Sequence, residues 1–396
     1  MITLGIESSC DDTAVAIIRG SREVLSEHIS SQIAEHQLFG GVVPEFAARM
    51  HQEAILPLIK LVMDEASMKV SETLSINLIA VTCGPGLVGS LMVGVLTARA
   101  LGAAWNVPVT GVNHIEGHIF ANFIADETFV PPFICLVVSG GHTEIILTRA
   151  WGDYVILGGT RDDAAGEAFD KAAKLLGLPY PGGAVIDNLS VKGNPKAYSF
   201  PIPLKNTDEI EFSFSGLKTA LLWKLKQLSK ENMTTSVENN STANSNFSSI
   251  VIPRQQGGGV GDVHKGTLLS EASVFPRRRR SNEGSAMQSE ASVSQWNWNL
   301  NDICASYQAA IVESLMVKLE LAVKKTGINK VAISGGVAAN SALRAAVQSK
   351  SGEWDVYIPP IAHCTDNAAM IAAAGAAAWL RGVRMDAIAP DPSLRL

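Results

Sequence analysis

One pattern occurs three times along this chain: a short apolar run ends in a turn of small polar residues and is followed by a further strand or helix. Apolar runs of this length, bounded by turn residues, are typical of buried strands, and two runs joined by a polar turn predict a hairpin. Repetition of such a unit predicts two related α/β lobes that face a cleft. The runs lie at residues 2–6, 133–138 and 330–333, and their turns at residues 7–13, 139–143 and 334–336.

A boundary between the lobes is expected near Pro131 and Pro132, because consecutive prolines interrupt regular structure. We therefore expect an N-terminal lobe at residues 1–128 and a C-terminal lobe at residues 129–396. The last helix, from about residue 366, is expected to pack back toward the N-terminal lobe. Ligands of open α/β sheets bind beyond the carboxyl ends of the strands, so all three turns are predicted at the cleft.

Residues 231–299 depart from this pattern. They are rich in Ser, Asn, Gly and Arg, and they contain the run Arg277-Arg278-Arg279-Arg280. Segments of low complexity and low hydrophobicity cannot bury a core. The sequence therefore predicts a disordered insertion on the second lobe rather than a third domain, and the arginine run is more typical of a solvated surface than of an RNA contact.

Composition excludes several classes of protein. Hydrophobic residues make up 47% of the chain and charged residues 18%, as expected of a folded protein. A net charge of −6 excludes a broadly basic nucleic-acid binder, so any RNA contact must be local. The five scattered cysteines argue against a disulfide framework or a zinc ribbon. No export signal and no apolar run of about 18–20 residues is visible, so we expect a cytoplasmic protein that does not enter a membrane.

Two histidines, His114 and His118, are spaced so that they share one face of a helix. Asp366, in a polar segment before the last helix, is a candidate third ligand. Two His and one carboxylate suit iron or zinc with open positions. Glu116 lies between the histidines, not directly after the first as in the zinc proteases. From the residues alone, two buried or surface histidines and a helix-capping Asp366 remain an alternative.

Four glycine-rich turns form a second group of candidates. Such turns let backbone N–H groups approach an anion, and a following helix adds the positive end of its dipole. The chain has neither a Walker A motif nor a G-x-G-x-x-G motif, so a P-loop or Rossmann site is disfavoured. The turns are Gly84-Pro85-Gly86, Ser139-Gly140-Gly141, Pro181-Gly182-Gly183 and Ser334-Gly335-Gly336.

Acidic residues are the third group. Asp163, Glu167 and Asp170 are predicted to share a helix face with Lys174, either as a solvated face or as part of a site in which Asp170 and Asp187 hold ribose hydroxyls. Asp11 and Asp12, in the first turn, would hold a metal, orient a nucleophile or simply form the turn.

Taken together, these segments resemble the bacterial and organellar family of tRNA N6-adenosine threonylcarbamoyltransferases, once described as glycoproteases. The resemblance covers residues 1–230 and 300–396. The segments that carry it follow in the family's order: residues 4–13, 31–51, 84–87, 114–118, 138–143, 163–171, 180–183, 212–218, 334–340 and 364–367.

The resemblance implies the actin-like ATPase and sugar-kinase fold, with two related α/β lobes around a cleft. It implies one divalent metal, iron or alternatively zinc, on His114, His118 and Asp366. It also implies that the substrate threonylcarbamoyl-adenylate binds in the cleft, where AMP or ATP can also lie. The residues expected to meet its nucleotide part are Val137, Val138, Ser139, Gly140, Gly141, Asp170, Gly183, Asp187 and Asn340.

The implied reaction transfers the threonylcarbamoyl group to N6 of the adenosine just 3′ of the anticodon in tRNAs that read codons starting with A, and releases AMP. Asp11 or Glu7 is a candidate acceptor for the amine proton. The implied partners are tRNA, a paralogous dimerisation subunit and a small ATPase subunit, with a homodimer as another possibility. A helix predicted at residues 45–61 is the candidate partner interface, or else it packs in the core.

Other functions remain open at this point. A small-molecule kinase or a carbamoyltransferase on the same fold is the main alternative, although a kinase gives no reason for the two histidines. A metalloprotease is disfavoured by the position of Glu116, and a non-catalytic dimerisation paralogue by the presence of His114 and His118.

Overall fold

A computed structural model describes residues 1–70, 73–239, 298–383 and 388–396. Residues 1–225 and 299–396 form one compact unit, which contains both sheets, and residues 226–298 belong to a second. The greater part of the predicted insertion, residues 240–297, lies outside the described residues. The lobe boundary between residues 128 and 129 stays a prediction.

The first sheet has five strands: β1 (Ile2–Glu7), β2 (Asp12–Arg19), β3 (Glu23–Ser31), β4 (Leu78–Gly84) and β5 (Val109–Asn113). Their order is β3-β2-β1-β4-β5. β1 and β3 are antiparallel to β2, whereas β1, β4 and β5 are parallel to one another.

The second sheet repeats this arrangement with β6 (Phe133–Val138), β7 (Thr143–Ala150), β8 (Asp153–Gly159), β9 (Lys330–Ser334) and β10 (Asp355–Tyr357). Its order, β10-β9-β6-β7-β8, is the same connectivity read from the other edge. β6 and β8 are antiparallel to β7, and β6, β9 and β10 are parallel. The prediction of two related α/β units, each opened by a hairpin, is therefore confirmed.

Ten α-helices lie in the described part of the chain. They are α1 (Ile33–Gln37), α2 (Pro44–Lys69), α3 (Val88–Trp105), α4 (His114–Ala125), α5 (Ala165–Leu175), α6 (Gly182–Ser190), α7 (Ser215–Asn239), α8 (Leu300–Thr326), α9 (Ser341–Gln348) and α10 (Ala368–Leu380). The helix predicted at residues 45–61 is the first part of α2. Asp163 precedes α5, so its predicted place on that helix face is wrong, although its carboxylate pairs with Lys171 at 2.6 Å.

The alanine-rich helix α10 lies against the first sheet, in one apolar cluster with residues of β2, β4 and β5. Small residues let it come close: a Cβ on Gly5 of β1 would lie 2.3 Å from the carbonyl oxygen of Ala368. α4 packs on α10 through Phe120 and Ala121, and on the second sheet through Ile115 and Ile119. α4 is thus held between α10 and the second sheet.

Within the described residues, α3 is long and apolar enough to span a membrane by length and composition alone. Its Val93, Val95 and Ala98 pack in the core cluster of the first sheet. This packing is what a core helix of a folded domain shows.

Candidate active site

The two histidines are placed by a strand end and a helix cap. β5 ends at Asn113, whose side-chain oxygen accepts hydrogen bonds from the backbone N–H groups of Ile115 and Glu116. This cap starts α4 at His114, so that His114 and His118 lie one turn apart with ring centroids separated by 4.6 Å. Both rings are buried.

Asp366 approaches the histidines from the other end of the sequence. The helix it precedes, α10, is capped by Asn367, whose side-chain oxygen accepts from Met370 N. The alternative that Asp366 is the helix cap is therefore wrong, and its carboxylate is left to face the histidines. Asp366 Oδ1 lies 3.5 Å from His114 Nε2 and 3.3 Å from His118 Nε2.

These three side chains fit a metal ion. One ligand atom from each lies within 4.8 Å of the other two. Both nitrogens of His118 are buried, and within the described part of the chain neither makes a well-directed hydrogen bond. Buried polar atoms are nearly always satisfied, and a cation among these atoms would satisfy Nε2. The donor set of two imidazoles and one carboxylate suits iron or zinc.

The charges of the three side chains are strongly linked. Burial lowers the pKa of His114, but the charges of Asp366 and Glu7 outweigh that effect and raise it to about 9. Burial lowers the pKa of His118. Burial also disfavours the charged form of Asp366, yet His114 and His118 hold its pKa well below the ordinary range. Without a cation, the extra proton on His114 therefore supplies the positive charge that balances Asp366.

Glu7 lies behind His114, at the end of β1, and is completely buried. Its Oε1 accepts from Ser9 N at 2.5 Å, and its Oε2 from Thr82 Oγ1 at 2.5 Å. His114 Nδ1 lies 3.1 Å from the same Oε2. The other candidate base, Asp11, is half-buried in the first turn.

The glycine turns at the ends of β6 and β9 come together. These strands are parallel, with Val137 paired to Ser334. A Cβ on Gly335 would lie 2.4 Å from the carbonyl oxygen of Val138, and φ there is +87°, so only glycine fits this contact. Gly140, Gly141 and Gly336 have open space where a Cβ would lie, so these turns expose their backbone.

The remaining nucleotide candidates join the helices that follow these turns. Asp170 Oδ1 accepts from Gly182 N at 2.7 Å, and burial raises the pKa of Asp170 to about 6. Asp187 accepts from Ser341 N and Oγ at 3.0 and 2.6 Å. Asn340 caps α9 and donates to Gln308 Oε1 at 2.7 Å. Asp170 is therefore not on a solvated face.

Four further nucleotide candidates differ in which of their atoms a ligand can reach. Val137 and Val138 are fully buried in β6, so only their backbone is available to a ligand. Ser139 Oγ accepts from His142 N at 3.1 Å, which shapes the turn. Gly183 has one neighbour, Phe169 Cβ, at 3.9 Å from a built Cβ, and so tolerates a close approach.

Sequence reasoning missed two residues of the site. Thr82 is a polar residue in an otherwise apolar strand, and that mismatch is the signal that would have found it. His142 lies in the turn predicted at residues 139–143, but its position in the sequence predicts no role for it. Burial, and then the charges of His114 and His118, lower its pKa to about 4. Ile115 and Ile119 of α4 pack in one cluster with Val137 of β6, which brings the turn after β6 close to the histidine pair.

Comparisons with known proteins show the family to which the chain belongs. A family described as tRNA N6-adenosine threonylcarbamoyltransferase matches residues 23–373. A relative of that description from Anaeromyxobacter dehalogenans (strain 2CP-C) is 42% identical over 397 residues, covering 99% of each chain. One from Clostridioides difficile (strain 630) is 41% identical over 388 residues, covering 98% of this chain and 95% of the relative.

Among solved structures, full-length HypF in its phosphate- and nucleotide-bound form is similar, with a TM-score of 0.51 and 14% sequence identity. The match covers 96% of this chain and 55% of that one. A likeness at this level of identity shows the fold alone. With the paired sheets described above, the expected actin-like ATPase fold is confirmed.

Proposed function

The chain belongs to the family of tRNA N6-adenosine threonylcarbamoyltransferases, and from this membership we propose how its residues carry out the reaction. The enzyme transfers a threonylcarbamoyl group to N6 of an adenosine in tRNA, which forms threonylcarbamoyladenosine. The observation that carries the mechanism is the group formed by His114, His118 and Asp366 beside the open glycine turns. A small-molecule kinase or a metalloprotease does not account for these features together.

In this proposal the donor is threonylcarbamoyl-adenylate, the acceptor is the adenosine 3′ of the anticodon in tRNAs that read codons starting with A, and AMP leaves. The nucleotide lies along the turns after β6 and β9, with Asp170, Gly183, Asp187 and Asn340 at their rim. Open backbone at Gly140, Gly141 and Gly336 supports this placement, because N–H groups of such turns bind phosphate oxygens.

We propose that His114, His118 and Asp366 hold one divalent metal, iron or zinc. His114, His118 and Asp366 would then present an ion that would supply Lewis acidity toward an oxygen of the acyl phosphate. The chain's own residues provide the geometry: the cap at Asn113 fixes the start of α4, and Asn367 fixes Asp366 at the start of α10.

The adenosine amine is a weak nucleophile, because its lone pair is delocalised into the ring. The chain must therefore hold the amine and the carbamoyl carbon in line and accept a proton from the amine. Of the two carboxylates predicted for that task, Asp11 is the one we retain. It is half-buried in the turn after β1, where its charge acts on Asp170 of the proposed nucleotide site.

The function is tested by incubating the protein with its partners, an adenylate-forming enzyme, ATP, bicarbonate, labelled threonine and unmodified tRNA. We expect label in tRNA only when the protein is present, and a loss of at least about 100-fold for His114→Ala. Glu116→Gln, on the same helix but bonded to Tyr154, is the matched control. Phosphorylation of a small sugar with no label in tRNA would contradict the function.

The tRNA surface is proposed to be a small group of lysines. Lys171 is committed to ion pairs with Asp163 and Glu167, at 2.6 and 2.9 Å. Lys174 and Lys218 are exposed and more available to phosphates. Exchanging either for Gln is expected to weaken tRNA binding and reduce its salt dependence, whereas Lys350→Gln, which breaks a pair with Glu320, is expected to leave both unchanged.

For the paralogous dimerisation subunit we propose the surface of α3 and the adjoining α2. Val88, Met92 and Leu96 lie one helical turn apart along α3 and are 54%, 46% and 53% exposed. Leu56 and Leu61 of α2 are exposed too. An apolar stripe of this kind fits a groove between the helices of a partner.

This interface is tested with Met92→Glu and Leu96→Glu, in mixtures with the paralogous subunit and by light scattering of the protein alone. We expect at least a tenfold weaker complex, whereas Val191→Glu, at another exposed apolar site, is expected to have no effect. If the variants change only self-association, the surface forms the homodimer instead.

We further propose a cytoplasmic location and a small ATPase subunit as the third component. The location is supported by the five cysteines, all of which are free thiols.

A further inference from the structure

We infer that Glu7 is the positioning residue that fixes the imidazole of His114, so that its Nε2 faces the proposed metal. This inference rests on the metal site proposed above. It changes the role of Glu7 from a candidate proton acceptor to a residue that acts through His114.

The carboxylate of Glu7 is held from three sides. Ser9 N donates to Oε1, Thr82 Oγ1 donates to Oε2, and His114 Nδ1 lies 3.1 Å from Oε2. These contacts tie the end of β1 to β4 and to the first residue of α4. A carboxylate fixed in this way requires a proton on Nδ1, which leaves the lone pair of Nε2 free for a cation.

The two histidines differ in this respect. His114 has Glu7 at Nδ1, and Ser9 Oγ lies 3.3 Å from the same nitrogen. His118 Nδ1 has no hydrogen-bond partner in the part of the chain that the structure describes. The orientation of His114 is therefore set by its own outer contacts, whereas that of His118 depends on the backbone of α4 and on the cation.

The surroundings of Glu7 do not suit direct proton transfer from the substrate. The residue is fully buried, and each oxygen already accepts a hydrogen bond from a donor other than the substrate. A general base must come within hydrogen-bond reach of the proton that it removes. Glu7 therefore acts on the site through the ring of His114, whose Nδ1 it contacts.

The test measures metal affinity rather than turnover. The full-length protein is stripped of metal and titrated with Zn²⁺ against a chelator of known affinity, and with Co²⁺, whose visible absorption reports ligand geometry. For Glu7→Gln we expect an affinity about 10–100-fold lower and an altered Co²⁺ spectrum. Thr82→Val, which leaves the carboxylate in place but removes one of its donors, is expected to give a smaller fall in the same direction.

The matched control is Glu116→Gln. Glu116 is also a largely buried carboxylate of α4, but its partners are Tyr154 and Arg381, away from the histidine pair. Its affinity and spectrum are expected to equal those of the unaltered protein. Thr82→Val also covers the case in which Glu7→Gln does not fold.

Two outcomes overturn the inference. In the first, Glu7→Gln or Thr82→Val binds both ions as the unaltered protein does; if Glu7→Gln also loses transfer, Glu7 returns to the role of proton acceptor. In the second, the unaltered protein modifies tRNA but binds neither ion, which removes the metal site as well. Conversely, Glu7-dependent metal binding without any tRNA modification would support the inference and contradict the proposed function.

Discussion

At the residue scale, Asp12 is a carboxylic acid in a buried position, where its charged form is unfavourable. Its Oδ1 is buried and has no hydrogen-bond partner within the described ranges. Burial is the largest cause that raises its pKa to about 7, and the negative charges of Asp366, Asp11 and Glu7 add to the shift. The folded protein therefore binds a proton at Asp12 more tightly than the unfolded chain does.

Because the folded state binds this proton more tightly, Asp12→Asn is expected to change the stability of the protein in a pH-dependent way. Between pH 3.8 and about 7 the folded state holds the extra proton, so the unaltered protein loses stability as the pH rises through that range. The neutral variant avoids this loss. We expect its Tm to equal that of the unaltered protein at pH 4, to exceed it increasingly up to pH 7, and to keep that advantage at pH 8.

Thermal unfolding at these pH values measures the effect. Asp208→Asn, at an exposed loop position, is the control and is expected to show no such trend. If the Tm of Asp12→Asn exceeded that of the unaltered protein most at pH 4, the raised pKa of Asp12 would be contradicted.

Single residues also show which parts of the site can be predicted from the sequence. Helical spacing predicts that His114 and His118 lie close together, and the resemblance adds Asp366 as the third ligand. Spacing could not decide between Asp366 and Asn367 as the cap of α10, because both residue types cap helices well. Thr82 and Glu7 meet across two strands that are distant in sequence, and no local pattern encodes such a meeting.

At the scale of secondary-structure elements, α10 packs tightly against the first sheet. A Cβ on Gly375 would lie 2.5 Å from Ala80 Cβ and 3.1 Å from Thr110 Cγ2. Nine residues of α10 are buried, so the helix has little freedom to move away from the sheet.

We therefore expect Gly375→Ala to lower the free energy of unfolding by about 1–3 kcal/mol, despite the better helix propensity of alanine. Gly216→Ala is the matched control, because nothing lies within 4 Å of a Cβ at that position of α7. It should leave stability unchanged or raise it by up to about 1 kcal/mol. Urea denaturation gives both values, and equal effects of the two substitutions would exclude overpacking.

At this scale, the strands were easier to predict than the helix ends. The hairpins β1–β2 and β6–β7 agree with their apolar runs because turn residues bound each run. α5 begins at Ala165, later than the acidic pattern suggested, because Thr160 and Asp163 are engaged in the preceding loop. Alanine-rich composition indicated a helix at α10 but not that it would lie across β1.

At the scale of the whole molecule, the proposed metal site joins two parts of the chain that are far apart in sequence: His114 and His118 of α4, and Asp366 before α10. Because the unfolded chain does not hold these groups together, a metal that binds them favours the folded state. A free metal concentration of 100 times Kd corresponds to about 2.7 kcal/mol of added stability.

We expect Zn²⁺ to raise the Tm of the stripped protein and a chelator to reverse the rise. Asp366→Ala should abolish the shift, whereas Asp355→Ala, at an exposed position of β10, should preserve it. Differential scanning calorimetry measures all four cases. A shift of equal size in the Asp366 variant would place the ion elsewhere.

The position of α10 also bears on how this protein is made. The first sheet needs α10 to cover one face, yet that helix is synthesised about 250 residues after β5 and α4. At roughly 5–20 residues per second, the interval is about 12–50 s. Until then α10 is not available to cover the sheet residues that it buries in the folded protein, among them Ala14, Ala16 and Ala80. Protection on the ribosome, by a chaperone or by slow folding, is thus a requirement set by where the sequence places its last helix.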